Sequence, residues 1–117
     1  MTKHTNQRAE YVARINRVID HIDRNLNREL PLEELARVAN FSRFHFHRIF
    51  SGMVGEPLNQ FIQRIRIEKA ASQLIEYVDK PITNIALDCG FSSSAAFARA
   101  FKQRFEMSAS RWRDHKL

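Results

Sequence analysis

Residues 43–51 read Arg-Phe-His-Phe-His-Arg-Ile-Phe-Ser, which sets two guanidiniums and two imidazoles among aromatic rings. On a helix, at about 100° per residue, Phe44, Arg48 and Ser51 share one side. His45 and His47 flank that side, Arg43 stands at the helix start, and Phe46 and Phe50 take the opposite side. The planar head of Arg48 can donate two hydrogen bonds at once to guanine O6 and N7. The plainer reading is a solvated polar face. Phe44 on the polar side either meets a thymine methyl or a sugar, or forms a minor part of the core. Further on, Ser92, Ala95, Arg99 and Lys102 share another outward side, flanked by Ser94, Ala98 and Gln103, with Arg99 as its long forked donor. Lys102, Arg104, Arg111 and Arg113 are either phosphate contacts or solvated charges.

Other chemistries fit less well. His45 and His47 are two apart, so on a helix they point about 200° from each other and cannot hold one metal ion. Neither a glycine-rich phosphate loop nor a Ser, His and Asp pattern is present, so no catalytic residue, metal or cofactor is expected. Cys89 is the one cysteine. Next to the turn glycine Gly90 it reads as a small buried apolar residue, with a redox sensor as the alternative. A lone cysteine cannot form a disulfide within the chain, which suits a reducing interior. No apolar run approaches the roughly 18 residues of a membrane span, and the first ten residues lack the apolar core of a signal peptide. A cytoplasmic protein is expected. The 117 residues carry a formal net charge of +6 and a pI near 10.1, which favours a polyanionic partner.

The elements that must position these side chains are helical throughout, punctuated by Pro31, Pro57 and Pro81. Tyr11, Ile15, Val18, Ile19, Ile22 and Leu26 mark one face of a first helix. A short helix runs from Leu32 to Ala39. Ser42 caps a third, with Phe46, Ile49, Phe50 and Met53 inward. Gly55 and Pro57 stop it and start a fourth, over roughly residues 58–78. On that fourth helix Leu58, Phe61, Ile62 and Ile65 cluster on one side, and Ile67, Ala70, Ala71, Leu74, Ile75 and Val78 on the other. A stripe that changes face predicts a bridge between two cores. Ile82 to Cys89 follows as a short helix, Ser92 or Ser93 caps the next, with Phe97, Phe101 and Phe105 inward, and a last helix starts near Ser108 and carries Trp112.

The second half repeats the first. Pro31-Leu32, Leu35-Ala36 and Phe41-Ser42 match Pro81-Ile82, Ile85-Ala86 and Phe91-Ser92 at an offset of 50 residues. After one inserted residue, Phe46, Arg48, Phe50 and Phe61 match Phe97, Arg99, Phe101 and Trp112 at an offset of 51. Each copy has the pattern of a helix-turn-helix: a small residue where the helices cross (Ala36, Ala86), then a residue suited to a left-handed turn (Asn40, Gly90). Two unequal copies in one chain predict a protein that binds a non-palindromic DNA site as a monomer. The expected division is a first subdomain over 8–56, a bridging helix over 57–78 and a second subdomain over 79–117.

The stretches LPLEELARVANFSRFHFHRIF and IALDCGFSSSAAFARAFKQRF resemble the DNA-binding domain of the AraC/XylS family of bacterial transcription regulators, with the likeness running over about residues 11–113. The resemblance implies an all-α fold of seven helices, with two helix-turn-helix subdomains joined by a long helix. It implies binding to promoter DNA through two successive major grooves, commonly to activate transcription, with RNA polymerase as a further partner. It assigns base reading to the positions of Phe44, His47 and Arg48. One departure is visible: where the family has a proline before its last helix, this chain has Ala109, which loosens the expected helix start. The expected DNA-binding set is Arg43, Phe44, His47, Arg48 and Ser51 in the first copy, with Ser94, Ala95, Arg99 and Lys102 in the second. The competing readings are an architectural protein indifferent to sequence, an adaptor that docks on RNA polymerase, and a membrane-surface role. The stretch RINRVIDHIDRNL resembles members in which the DNA-binding part precedes a small-molecule domain similar to GyrI, so the chain reads either as a complete small regulator or as the front of a longer, effector-responsive one.

Overall fold

The computed structural model describes the backbone of residues 3–116 and the side chains of residues 6–115. Seven helices follow in order: α1 (Lys3–Arg24), α2 (Leu32–Ala39), α3 (Arg43–Val54), α4 (Leu58–Glu76), α5 (Ile82–Asp88), α6 (Ser94–Phe105) and α7 (Ala109–Lys116). No strand occurs among the described residues, so the fold is all-α. The chain divides into two units. One takes the chain through Asn25 and then Leu30–Ile62, and the other takes Leu26–Glu29 and everything from Gln63. The division falls inside α4, between Ile62 and Gln63.

In the first unit, α1 buries Ile15, Val18 and Ile22, the positions its period of 3.6 selects. Pro31, with φ −62° and ψ 147°, is pre-set in the extended conformation of an N-cap. Its carbonyl accepts from the Glu34 and Leu35 N–H groups at 3.1 and 3.3 Å, which starts α2. Leu35, Ala36 and Ala39 are buried on α2, and Phe46 and Phe50 on α3. The rings of Phe46 and Phe50 lie 5.7 Å apart, and Phe50 meets Phe61 of α4 edge-on at 5.3 Å.

The second unit repeats this packing. Pro81 starts α5 through a bond from the Ile85 N–H at 3.2 Å. Phe97 and Phe101 lie 5.6 Å apart, and Phe101 meets Trp112 edge-on at 5.9 Å. Phe61 and Trp112 are therefore equivalent in space as well as in spacing. Around these rings the core gathers Ile67, Ala70, Ala71, Leu74, Ile85, Ala86, Cys89, Phe91 and Ala109. Burial pushes the Cys89 thiol up from its ordinary range, as expected for a thiol used for packing. The repeat also reaches further back than the two helix-turn-helix segments. At an offset of 52, Ile15, Val18 and Ile22 of α1 correspond to Ile67, Ala70 and Leu74 of α4, and all six are buried. Each unit is thus a long helix followed by a helix-turn-helix.

Several expectations are corrected. The bridging helix stops at Glu76 rather than Val78, and Val78 is 42% exposed. Ile65 and Ile75 are only half-buried, so α4 anchors its two ends through Leu58, Phe61 and Ile62 and through Ile67, Ala70, Ala71 and Leu74. Met53 is 40% exposed, because α3 ends one residue later at Val54 and its last turn outruns the core. The missing proline at Ala109 does not leave the last helix uncapped. Ser108 Oγ accepts from the Arg111 N–H at 3.1 Å, and Ala109 is buried at the first helical position.

Candidate nucleic-acid interface

Each outward side chain depends on the turn before its helix. In the first unit α2 ends on Asn40, which adopts the left-handed conformation (φ 58°, ψ 45°). The Phe41 N–H then bonds back to Ala36 O at 3.0 Å, which closes the helix end. Ser42 follows in extended geometry, and its side chain accepts from the His45 N–H at 3.3 Å. In the second unit Gly90 (φ 95°) makes the same turn, and the Phe91 N–H bonds to Ala86 O at 3.1 Å. Of the two candidate caps, Ser93 is the one used, accepting from the Ala96 N–H at 3.0 Å.

On α3, Phe44, His47 and Arg48 are exposed on the side away from Phe46 and Phe50. Phe44 is 80% exposed, which removes the alternative that it belongs to the core. Arg43 is exposed but ion-paired with Glu33 at 3.0 Å, so α2 holds its head. His45, which flanks that side, is exposed too, but it is held against neighbouring rings. Its ring packs edge-on against Phe41 at 5.4 Å and Tyr11 at 6.3 Å. Ser51 also departs from expectation: its hydroxyl oxygen is enclosed and has no hydrogen-bond partner, so it does not present a polar group outward.

On α6, Ser94, Ala95, Ala98, Arg99, Lys102 and Gln103 are exposed, opposite Phe97 and Phe101. Arg104 is ion-paired with Glu68 at 3.4 Å, with its guanidinium beside the Phe105 ring. Arg113 is not simply a solvated charge. Its guanidinium donates to the carbonyls of Leu74 (2.8 Å), Tyr77 (3.1 Å) and Lys80 (2.8 Å), and so satisfies the end of α4. Trp112 supports the same helix by donating Nε1–H to Ala71 O at 3.0 Å.

Two further arginines bear on the site and lie outside the expected set. Arg14 donates to Asn40 O at 3.2 Å, and its guanidinium lies 4.8 Å from the centre of the Phe41 ring. Arg66 donates to Arg28 O at 2.8 Å, and a side chain built at Gly90 would put its Cβ 2.7 Å from Arg66 Nε. They correspond to each other at the offset of 52 that relates α1 to α4. That offset was the signal that could have found them. Burial lowers the Arg66 pKa, with Glu29 acting against the shift. No group of His, Cys, Asp and Glu among the described residues is placed to hold a metal ion. No described helix is long and apolar enough to cross a membrane.

The "Helix-turn-helix domain" family matches residues 35–115 of the chain. An uncharacterized HTH-type transcriptional regulator of Bacillus subtilis (strain 168), YbfP, is 36% identical over 103 residues, which is 88% of this chain and 35% of the relative. Another, of Staphylococcus aureus (strain COL), is 39% identical over 101 residues, which is 86% of this chain and 13% of the relative. The chain thus spans well under half the length of these curated relatives. Among solved structures, the DNA-binding domain of AdpA, a global transcriptional factor in complex with a target DNA, superposes with a TM-score of 0.77 at 27% identity, covering 86% of this chain and 90% of that one. The C-terminal domain of AraT, a response regulator from Geobacillus stearothermophilus, gives 0.78 at 27% identity, covering 87% and 84%. An AraC-type transcriptional regulator from Chromobacterium violaceum shares the fold, with a TM-score of 0.81 at 23% identity over 92% of this chain and 96% of that one.

Proposed function

The chain belongs to the AraC-type helix-turn-helix family of DNA-binding transcription regulators, and from that premise we propose that it reads promoter DNA as a monomer, with α3 and α6 in successive major grooves. The observation that carries this reading is the doubled site. Two cap-and-turn geometries in one chain each present an exposed guanidinium, Arg48 and Arg99, at equivalent positions. Either can take both acceptors of a guanine edge. The likeness to the AdpA domain solved on its target DNA supports the same use of the fold. Arg43, ion-paired to Glu33, and Lys102 serve the backbone phosphates in this reading, and Ser51 has no direct part.

The two helices divide the work unequally. α3 offers Phe44, His47 and Arg48, which supply apolar and hydrogen-bonding contacts to bases. α6 offers Ser94, Ala95 and Ala98 around Arg99, and alanines can only touch thymine methyls or let the helix approach the phosphates. The first unit therefore carries most of the discrimination and the second mainly affinity. Activation follows by contact with RNA polymerase from the bound promoter. The test is selection of duplex from a random pool, then sedimentation of the complex and binding to every single-base variant of the selected site. The expected result is one protein on a non-palindromic site of about two helical turns, with larger losses in the half-site that Arg48→Ala weakens. A two-to-one complex on a palindrome sinks the monomer reading, and equal losses in both half-sites sink the division of labour.

A further inference from the structure

We infer that Arg14 and Arg66 are matched positioning residues, each bracing the turn that aims the recognition helix of its own unit while itself leaving DNA untouched. The inference rests on the reading of α3 and α6 as recognition helices and adds the groups that hold them. In the first unit the guanidinium of Arg14 is engaged on several sides. It donates to Asn40 O, lies over the Phe41 ring, and is paired with Glu10. Asn40 and Phe41 are the two residues between the end of α2 and the Ser42 cap. Fixing them fixes the direction in which α3 leaves. The Arg14 side chain is only 19% exposed, which leaves little of it for a phosphate.

Arg66 does the equivalent task with different contacts. A Cβ at Gly90 would fall 2.7 Å from Arg66 Nε and 3.0 Å from its Cζ, so the guanidinium lies against the bare α-carbon of the turn. On the same face the turn meets the backbone of Leu26, whose carbonyl oxygen would be 2.0 Å from that Cβ. Arg66 fastens this same segment by its bond to Arg28 O. An arginine and a strip of backbone thereby close together over the bare face of Gly90. Arg66 Nε is enclosed and has no hydrogen-bond partner. An enclosed donor on a charged group carries a desolvation cost that an outward, hydrated arginine would avoid. The cost is consistent with a side chain placed for its shape and fork, and not for its charge at the surface.

Lysine separates the two roles, because it keeps the charge and loses the planar fork. The experiment uses the whole chain and the duplex selected from a random pool, with the half-sites assigned beforehand by Arg48→Ala and Arg99→Ala. Arg14→Lys is expected to reduce discrimination against mismatches in the half-site read by α3 by about fivefold, roughly the lower bound of what one mismatched pair costs. Discrimination in the other half-site and the salt dependence of binding stay as in the parent. Arg66→Lys is expected to give the reciprocal pattern. Discrimination kept in both half-sites overturns the proposal, whether the melting temperature alone falls or affinity falls with a salt slope shallower by about one; the second outcome marks a phosphate contact. If Arg14→Lys does not fold, Glu10→Gln loosens the guanidinium from its exposed side, and a smaller loss confined to the α3 half-site is expected, with unchanged discrimination overturning the proposal. A parent protein that shows no sequence preference removes the underlying reading of recognition helices and is told apart from these outcomes before any variant is made.

Discussion

Asn40 turns the chain between α2 and α3 with φ 58°, and Gly90 turns it between α5 and α6 with φ 95°. At the far end of α3 and α6 the residue types are exchanged: Gly55 closes α3 with φ 89°, and Glu106 closes α6 with φ 60°. Four left-handed positions are thus filled by two glycines, an asparagine and a glutamate. The backbone path is the same in both copies, and the surroundings decide where glycine is compulsory. At Gly55 an added Cβ meets nothing within 4 Å, whereas at Gly90 it meets Leu26 O at 2.0 Å. Gly55 serves only its dihedral angle. Gly90 serves both its angle and a close approach of backbone to backbone.

Where the copies agree most, equal damage is expected. Phe50 and Phe101 are both fully buried, with corresponding neighbours, Phe46 and Phe61 in one unit and Phe97 and Trp112 in the other, and Phe101 has the Phe105 ring in addition at 4.7 Å. Phe50→Ala and Phe101→Ala should each cost about 3 to 5 kcal/mol, read from denaturant unfolding. A difference of more than about 2 kcal/mol between them would mean that one cavity collapses and the other does not, and the equivalence of the two cores would fail.

The turns should break the symmetry. Gly90→Ala forces an L side chain into the left-handed region and against Leu26 O, and should cost about 3 kcal/mol. Asn40→Gly relieves a mild strain and should change stability by less than about 1 kcal/mol. Thermal unfolding of both variants checks this. A mild Gly90→Ala would show that the 26–29 segment can yield, and that the turn alone sets the requirement for glycine.

The pattern of what could be read from the sequence follows from how far each feature reaches along the chain. Caps, the small crossing residues Ala36 and Ala86, and the ring spacing of Phe46, Phe50, Phe97 and Phe101 are local, and they are legible together with the all-α fold. The role of Arg113 is not. Its acceptor carbonyls lie as many as 39 residues away, and an arginine near a basic C-terminus looks like any solvated charge. His45 and His47 cannot be told apart by type; what separates them is that Tyr11 and Phe41 stand on one side of α3. The correspondence of α1 with α4 is carried by generic apolar residues, and only the pair Arg14 and Arg66 adds a distinctive type to it.

Arg113 gives the next test of the asymmetry. At the offset of 51 its counterpart is Ile62, a buried residue within the continuous α4, where no helix end needs satisfying. Arg113→Ala removes the charged donor to three carbonyls and should cost about 1.5 to 3 kcal/mol. It should leave the salt slope of DNA binding unchanged at temperatures where the variant is folded, whereas Lys102→Ala should lower that slope by about one and leave stability nearly unchanged. An Arg113→Ala variant that is as stable as the parent but binds DNA with a shallower slope would return Arg113 to the phosphate contacts.

The smallest expected effect is at the ends of α3 and α6. Glu106 holds φ 60° with its N–H bonded to Lys102 O at 2.8 Å, the counterpart of the Gly55 N–H on Ser51 O at 2.9 Å. A left-handed conformation costs a residue with a Cβ about 1 to 2 kcal/mol, which glycine would recover. Glycine also gives the unfolded chain more freedom, which takes back about 0.4 to 1 kcal/mol. The net gain from Glu106→Gly is therefore about 0.5 kcal/mol, and Gly55→Glu should lose about the same, since an added Cβ there has open space. Urea midpoints at a constant slope are sensitive enough to resolve the two signs. Equal and opposite shifts would show that only the dihedral angle distinguishes glycine from glutamate at these ends. A loss on Glu106→Gly would mean that the carboxylate of Glu106 stabilises the second unit by some contact of its own, and that the two helix ends are alike in backbone but not in energy.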